Sequence, residues 1–568
     1  MAAINVLFTR IESTALNSTS IVDGQIIYVI DTGAIYLDNG TTRIQIGNSN
    51  TEYTELVNNI TQNTQDILSK ANQSALLVHI NDLNNPHQVT AMQVGLNNVD
   101  NTSDVNKPIS TATQAALNLK ANQTSLNTTN DNVSALQTSM TSVENYIGYT
   151  ESYILGLQAD FKSNTFTRLA GATNLSAGTD FDSFNMYGGR KRCNVANDGT
   201  INAYYGDTGY IEDGTNGQVM VYQPVFYYKV VPLKLDKNTV GYHLRKANYY
   251  ISDKPLDGFK RHPAFYDING KEINYILYSA FEGCIYDTSA SAYLLHDEQN
   301  MDTSTDLFSS IASAQPASGL SQNLTRANIN ILCTNRGTGW YGDNVKAESA
   351  NQMLMAIELG YFNTQTKITN GVVSITDNSA YNCSSLTGST TGNATNVATS
   401  TINEINGVQT TYTTNGKISL SYRGMENPWG NIWKFVDGFN IWGDGNLGGG
   451  VPYICSNYNY VENKNTDNYI SANFSATNVS GYISAFGYSE DCDWLFIASE
   501  CLGNSSLPVG DYNYTTANLN GFRVGRLGGS WVGGADAGCF GWYLINGSGD
   551  RGRAVGGRLL YIPTSNVV

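Results

Sequence analysis

Charge is scarce in this chain of 568 residues: Asp, Glu, Lys and Arg together make up 14%, against about a quarter in ordinary globular proteins. Lys plus Arg number 32 against 48 Asp plus Glu, a formal net charge of −16. Binding nucleic acid through its phosphates draws on a Lys/Arg excess that releases counterions, so no nucleic-acid partner is expected. Histidine is scarcer still, and none follows His296. Histidine-based acid–base or metal chemistry is therefore excluded from residues 297–568 acting alone. The eight cysteines (193, 284, 333, 383, 455, 492, 501, 539) form no CxxC pair, so no metal or redox framework is expected. Some could pair in an oxidising environment, and spacing does not say which. No apolar run approaches membrane-spanning length, and the opening MAAINVLFTR lacks the basic n-region of a secretory signal. Neither membrane insertion nor signal-directed export is expected.

What is present is glycine (55) and tyrosine (36), on a surface left to Asn, Thr, Ser and Gln. Such a surface suits β-structure, fibres and adhesive faces, and the length calls for several modules. Residues 1–51 read as a small β-module with strands at Gln25–Ile30, Ala34–Leu37 and Thr42–Ile46. Asp38-Asn39-Gly40 supplies a hairpin turn, because Asn-Gly accepts positive φ. From 52 to 160 the period changes to helical. Tyr53, Val57, Ile60, Thr64, Ile67, Ala71, Ser74 and Val78 alternate four and three apart. Leu119, Leu126, Val133, Met140, Ile147 and Ile154 fall seven apart, with a mixed companion seam through Leu136, Val143 and Leu157. A narrow seam on a polar surface predicts a parallel coiled-coil stalk, read as three-stranded, hence a homotrimer.

The two helical stretches are separated by residues 81–116. Asn85-Pro86-His87-Gln88-Val89-Thr90, then Gln93 through Asp104, then Lys107-Pro108-Ile109-Ser110 resemble the short repeat of bacteriophage tail fibres, where such segments interrupt trimeric shafts. His87, with only His79 near, reads as a structural histidine.

Residues 161–568 read as α+β. Val219–Val231 predicts one strong strand, Tyr249–Phe265 a loop, and Lys346–Leu359 an amphipathic helix with Ala350, Met353, Leu354, Ile357 and Leu359 facing a sheet. The Ser/Thr/Asn-rich stretch 363–420 reads as an inserted hairpin or mobile loop rather than core. Three segments carry a second resemblance. Glu426–Gly438 (ENPWGNIWKFVDG), Arg526–Trp531 (RLGGSW) and Gly556–Tyr561 (GGRLLY) are similar, in that order, to stretches of the formylglycine-generating-enzyme branch of the C-type lectin fold. They are also similar to variable proteins of diversity-generating retroelements, which include phage tropism determinants. The resemblance implies a C-type-lectin-like head whose C-terminal stretch, diversified in such proteins, contacts ligand.

Two departures bear on enzymology. Where the enzyme branch places paired cysteines, Val532-Gly533-Gly534-Ala535-Asp536 stands, with only Cys539 near, and reactive thiols need an activating neighbour. Lys434 stands where that branch carries a glutamate that helps bind calcium, removing a hard ligand; no metal and no cofactor are expected. A display surface remains over Gly521–Tyr561. Arg523, Arg526, Ser530, Asp536, Trp542, Tyr543, Asn546, Arg551 and Arg553 are its candidates for the exposed face, with Trp531 equally suited to contact or to half-burial. Asp511–Tyr514 and Trp442 are expected at its border. Gly528, Gly529, Gly556 and Gly557 read as structural.

The expectation is thus a non-enzymatic tail-fibre or receptor-binding protein. Its N-terminus docks on phage baseplate or tail proteins, and its head binds a glycan or protein receptor on a bacterial surface from the virion. The alternatives are a fibre-borne polysaccharide hydrolase drawing on Asp437, Asp444, Glu490, Asp491 or Asp493, and a bacterial surface ligand-binding protein of the same fold. A formylglycine-type oxidase ranks below both.

Overall fold

The computed structural model describes residues 7–48, 58–66, 110–119, 123–146 and 151–564 apart from 296–298, 320–321, 377–382, 404–407 and 463–467, together with residues 92, 95 and 149. The chain divides into two compact units, Met1–Leu126 and Asn127–Val568.

In the first unit, β1 (Phe8–Ile11), β2 (Ile26–Val29), β3 (Ala34–Asn39) and β4 (Thr42–Asn48) form one sheet in sequence order. The expected hairpin is there: Asn39 pairs with Thr42 around Gly40 at φ +63°, a conformation open to glycine at no steric cost. β1 was not legible as a strand, because it joins parallel to β2, and a parallel pairing has no local turn signal. Buried Asp38 fastens the hairpin by accepting Arg43 Nε at 2.6 Å. Arg43 also donates to the Leu16 and Thr19 carbonyls, which holds the β1–β2 connection over one side of the sheet. Residues 58–66 are helical, as is Thr111–Leu119. Most of the tail-fibre-like stretch 81–116 lies outside the described residues.

The helix Gln123–Tyr146 carries Leu126, Val133 and Met140 of the strong heptads, but the helical stretch expected to reach residue 160 has given way to a strand by Ile154. Ile154 and Leu157 lie on the strand Ile154–Asp160, paired from Ile154↔Ser252 to Asp160↔Lys246. The sevenfold spacing runs on there only by coincidence. Gly156 fits a sheet position where a Cβ would stand 2.7 Å from the Tyr250 ring. The head therefore begins before residue 161.

The second unit is mainly β, and three of its sheets matter here. One is ordered Lys260–Arg261, Tyr227–Lys237, Tyr242–Ser252, Ala485–Tyr488, Ala498–Glu500, with Ile154–Asp160 and Thr165–Ala170 attached. A second runs Trp340–Gly342, Leu559–Tyr561, Tyr275–Ser279, Gln218–Pro224, Lys191–Val195, Ile201–Tyr204. The third runs Tyr469–Ser471, Val451–Cys455, Trp433–Asp444, Asn520–Gly528, Gly538–Tyr543, with Val555–Gly556 joined to Trp433–Asp444. The expected single strand Val219–Val231 is in fact two, in different sheets, because the chain turns after Pro224. Tyr249–Ser252 belongs to a strand rather than to the expected loop.

The helix Val345–Leu359 is not amphipathic: apart from Lys346, every residue is buried. Its charges are matched internally instead. Glu358 receives Arg423 through two bonds of 2.6 and 2.7 Å and the Tyr422 hydroxyl, and Glu348 receives Lys434 Nζ at 2.6 Å. Asn344 caps its start and Gly360, at φ +65°, its end. The stretch 363–420 does contain a hairpin, Ser400–Asn403 with Gln409–Tyr412, but it is not mere insertion. Ser384, Ser385, Thr387 and Thr390 are buried. Thr390 bonds Glu426 through both its N–H and its hydroxyl, and the Ser385 N–H donates to Asn431. Short polar side chains with complete hydrogen bonding form core as well as loop.

Candidate aromatic binding face

Parts of the three segments that carry the second resemblance meet in one sheet, residues 433–438, 526–528 and Gly556, whereas Leu559–Tyr561 belongs to the second sheet. Trp433–Asp444 pairs antiparallel with Asn520–Gly528 and parallel with Val555–Gly556, while Gly538–Tyr543 continues the sheet beyond Asn520–Gly528. Register then decides which side chains reach the surface, since directly paired residues share a face. Lys434, Leu527 and Trp542 lie in one row, and all three are buried. Phe435, Arg526 and Tyr543 lie in the adjacent row, on the opposite face.

The opposite face carries a continuous set of rings. Trp433 lies 5.7 Å from Tyr543 and 6.2 Å from Tyr514, Tyr543 lies 5.2 Å from Tyr514, Tyr514 lies 4.6 Å from Tyr512, and Tyr512 lies 5.1 Å from Tyr482. All five rings are half-buried. Tyr512 and Tyr482 are brought together by pairing of two short strands. Tyr514 is added by backbone bonds to Trp542 and Leu544. Asp536, on a 3-10 turn, accepts the Tyr482 hydroxyl at 2.7 Å and the Tyr514 hydroxyl at 2.6 Å. Gly529 allows that turn its place: its φ is +90°, and a Cβ there would stand 2.5 Å from Ala537 Cβ. At the other end Arg526 Cζ lies 4.3 Å from the Tyr543 ring centre, with its guanidinium paired to Asp550.

Burial, reinforced by the bond to Asp536, raises the Tyr482 hydroxyl to about 12. The same causes raise Tyr514. Both remain neutral donors, with ring faces fixed by the shared carboxylate. Burial lowers Arg526 somewhat, against the pull of Asp550. The face thus offers rigid aromatic area with an anionic acceptor at one end and an ion pair at the other. Fixed aromatic area of this kind is well suited to binding, because little side-chain entropy is lost.

Of the expected residues, the fold gathers Arg526, Asp536 and Tyr543 here, together with Tyr512 and Tyr514 from the expected border. Three expectations of exposure are corrected, those for Trp542, Ser530 and Arg526, and Trp531 falls to the buried side of its two readings. Trp542 is core, donating its indole N–H to the Phe496 carbonyl, because strand alternation turns it inward when Tyr543 faces out. Ser530 and Trp531 are buried, Trp531 in an apolar cluster with Val372, Ile375 and Ile432. Arg526 is also largely buried and reaches the face as a ring-stacked guanidinium. Arg523 bonds the Phe522 carbonyl of its own strand. The Asn546 carbonyl accepts Val524 N–H, Arg551 is exposed, and Arg553 is half-buried. Trp442 packs near Tyr453 and Phe522 instead. Trp433 and Tyr482 were missed. Neither had a local signal: a lysine beside Trp433 does not mark itself as inward-facing, and Tyr482 joins the face by pairing across the fold.

Behind the face, Lys434 neutralises Glu348 in the interior. Burial and the neighbouring Glu348 push the Asp343 carboxyl well above its ordinary range, whereas Glu348, although burial opposes it, is held below its own by Lys434. Cys539 is buried and its thiol is pushed well up by burial. All eight cysteines are buried. Of the carboxylates considered for hydrolysis, Asp437 is paired with Arg326, and Asp493 accepts Tyr228 and Lys260. Among the described residues, no group of three or more His, Cys, Asp or Glu could hold a metal ion. No described helix is long and apolar enough to cross a membrane.

No family model matches the chain, and no curated protein matches it. Among solved structures, the Major Tropism Determinant P3c variant aligns at 12% identity over 68% of this chain and 73% of its own, with a TM-score of 0.23. The M1 variant aligns at 12% identity over 70% and 77%, also at 0.23. Similarity at that TM-score does not establish a shared fold.

Proposed function

We propose that the chain is a bacteriophage attachment protein that binds a bacterial surface receptor through the aromatic face of Trp433, Tyr482, Tyr512, Tyr514 and Tyr543, and does so without turnover. One observation carries this reading: five half-buried rings in contiguous contact, two of them locked by one carboxylate. Hot spots of recognition surfaces are built from such anchored aromatics. The tail-fibre-like run Asn85–Ser110 supports the virion setting, and the adjacency of residues 433–438, 526–528 and Gly556 in one sheet supports a C-type-lectin-like head. On this reading the heptad-bearing helices form a parallel trimeric stalk, and three heads add avidity through effective concentration. The N-terminus joins the chain to the tail or baseplate.

The test is adsorption of fluorescently labelled protein to host cells, comparing wild type with a Tyr514→Ala/Tyr543→Ala variant whose unfolding midpoint matches wild type. A loss of binding of about tenfold or more is expected, since removal of one hot-spot ring costs about 2 kcal/mol. Unchanged adsorption would sink the assignment of this face. Release of reducing ends from host polysaccharide would sink the claim that it binds without turnover.

A further inference from the structure

The N-terminal sheet has two different sides. One side is covered by the chain itself: Ile27, Val29 and Ala34 are buried beneath Ile11, Leu16 and Tyr36. On the other, register places Ile26, Leu37 and Ile44 in a single cross-strand row, with Tyr28 and Ile35 in the next. Ile46 follows two residues after Ile44. None of these six joins a buried cluster among the described residues, and Ile44 and Ile46 remain 46% and 51% exposed. A small module with only three buried apolar residues on one side lacks the core to stand alone.

The geometry points to other copies of this chain as the cover: we propose that this open face packs against the same face of neighbouring copies. Size favours this over an unrelated partner. Four strands about 4.8 Å apart and about five residues at 3.4 Å give roughly 300 Å² per copy. A stable pair of free molecules needs about 800 Å² a side, so this face holds only molecules already tethered together. The same chain supplies such a tether. Its helix Gln123–Tyr146 exposes Leu126, Val133 and Leu136 by 49%, 47% and 43%. An isolated helix of such polar composition is marginal in water, and a seam repeating every seven residues is matched in register by an identical helix. Tethered copies meet at high effective concentration, where a small apolar face suffices. The Ile26–Leu37–Ile44 row carries no charge, and the next row carries only Arg10, exposed beside Tyr28 at the β1 edge, so in a chain of net charge −16 the apolar row is where copies meet without local repulsion. This inference rests on the proposed stalk and is independent of what the head binds.

The test uses the full chain carrying Ile46→Cys and a short bismaleimide. Because all eight native cysteines are buried, the new thiol is the accessible one, and a Lys271→Cys variant on an exposed turn of the head serves as control. A shift of most Ile46→Cys chains to a two-chain band in a denaturing gel is expected, with the control staying at one chain. Light scattering of the undenatured wild-type protein should give a multiple of the chain mass. Single-chain bands from Ile46→Cys with its thiol fully labelled, or a monomeric wild type at micromolar concentration, would overturn the proposal. Either would leave the face to another virion protein.

Discussion

Lys434 tests the logic of the sheet behind the aromatic face. Its ammonium lies 2.6 Å from Glu348 Oε1, with both side chains essentially removed from water. At an effective dielectric of about 20, two unit charges at that separation attract by about 6 kcal/mol. Desolvation of the two ions offsets much of this, so the intact pair contributes little net stability. Removing one partner is different: Lys434→Met leaves Glu348 buried and uncompensated, beside an Asp343 that burial already keeps from ionising readily. The expected loss is about 3–5 kcal/mol, a large part of the roughly 5–15 kcal/mol that holds a domain together. Glu348→Gln combined with Lys434→Met removes both charges and should recover most of that loss. Urea unfolding followed by tryptophan fluorescence measures all three proteins. If Lys434→Met costs under about 1 kcal/mol, as exposed pairs do, the inward placement of the Lys434–Leu527–Trp542 row is wrong. The outward placement of Tyr543 would then fail with it.

Other expectations follow from individual sites. Asp536→Asn should bring the Tyr482 hydroxyl down from about 12 toward the ordinary tyrosine value of about 10, read by ultraviolet absorbance against pH; an unmoved titration would mean the carboxylate does not hold that ring. His262 is packed against Phe226, Phe265 and Trp494, and burial lowers it to about 3. Its folded value lies below its unfolded one, so its contribution is complete above about 6.5 and is lost as pH falls, at about 1.4 kcal/mol per unit. His262→Asn should remove that slope between about pH 6 and 4, and equal slopes in the two proteins would contradict it. None of the eight cysteines should react with a thiol reagent before unfolding, and all eight should react in urea; fast labelling of the native protein would show that the interior is open.

Several features were legible before any coordinates. The Asn39-Gly40 hairpin was, because a two-residue turn needs positive φ and few residues supply it. The heptads of the Gln123–Tyr146 helix were, because helical periodicity is written in consecutive positions. Trp531, Trp542 and Ser530 show where composition misleads: residues typical of binding loops are equally typical of a packed core, and strand register alone separates Trp542 from Tyr543. Ile154 and Leu157 satisfied a sevenfold count while belonging to a sheet, since Gly156 and the pairing strand Tyr242–Ser252 are invisible to a periodicity. The polar stretch around Ser385 and Thr390 read as loop because its partners, Asn431 and Glu426, lie dozens of residues away.

The sequence by itself determined the modular order, the helical seam, the hairpin turns and the poverty of histidine and positive charge, all properties of neighbouring residues or of composition. Only the tertiary structure decided that Tyr482, Tyr512, Tyr514, Tyr543 and Trp433 share one face and that Lys434 is an interior counter-ion. It also decided that one side of the N-terminal sheet stays bare. Those facts depend on which strands pair and in which register, and that choice is made by contacts between residues far apart in the chain.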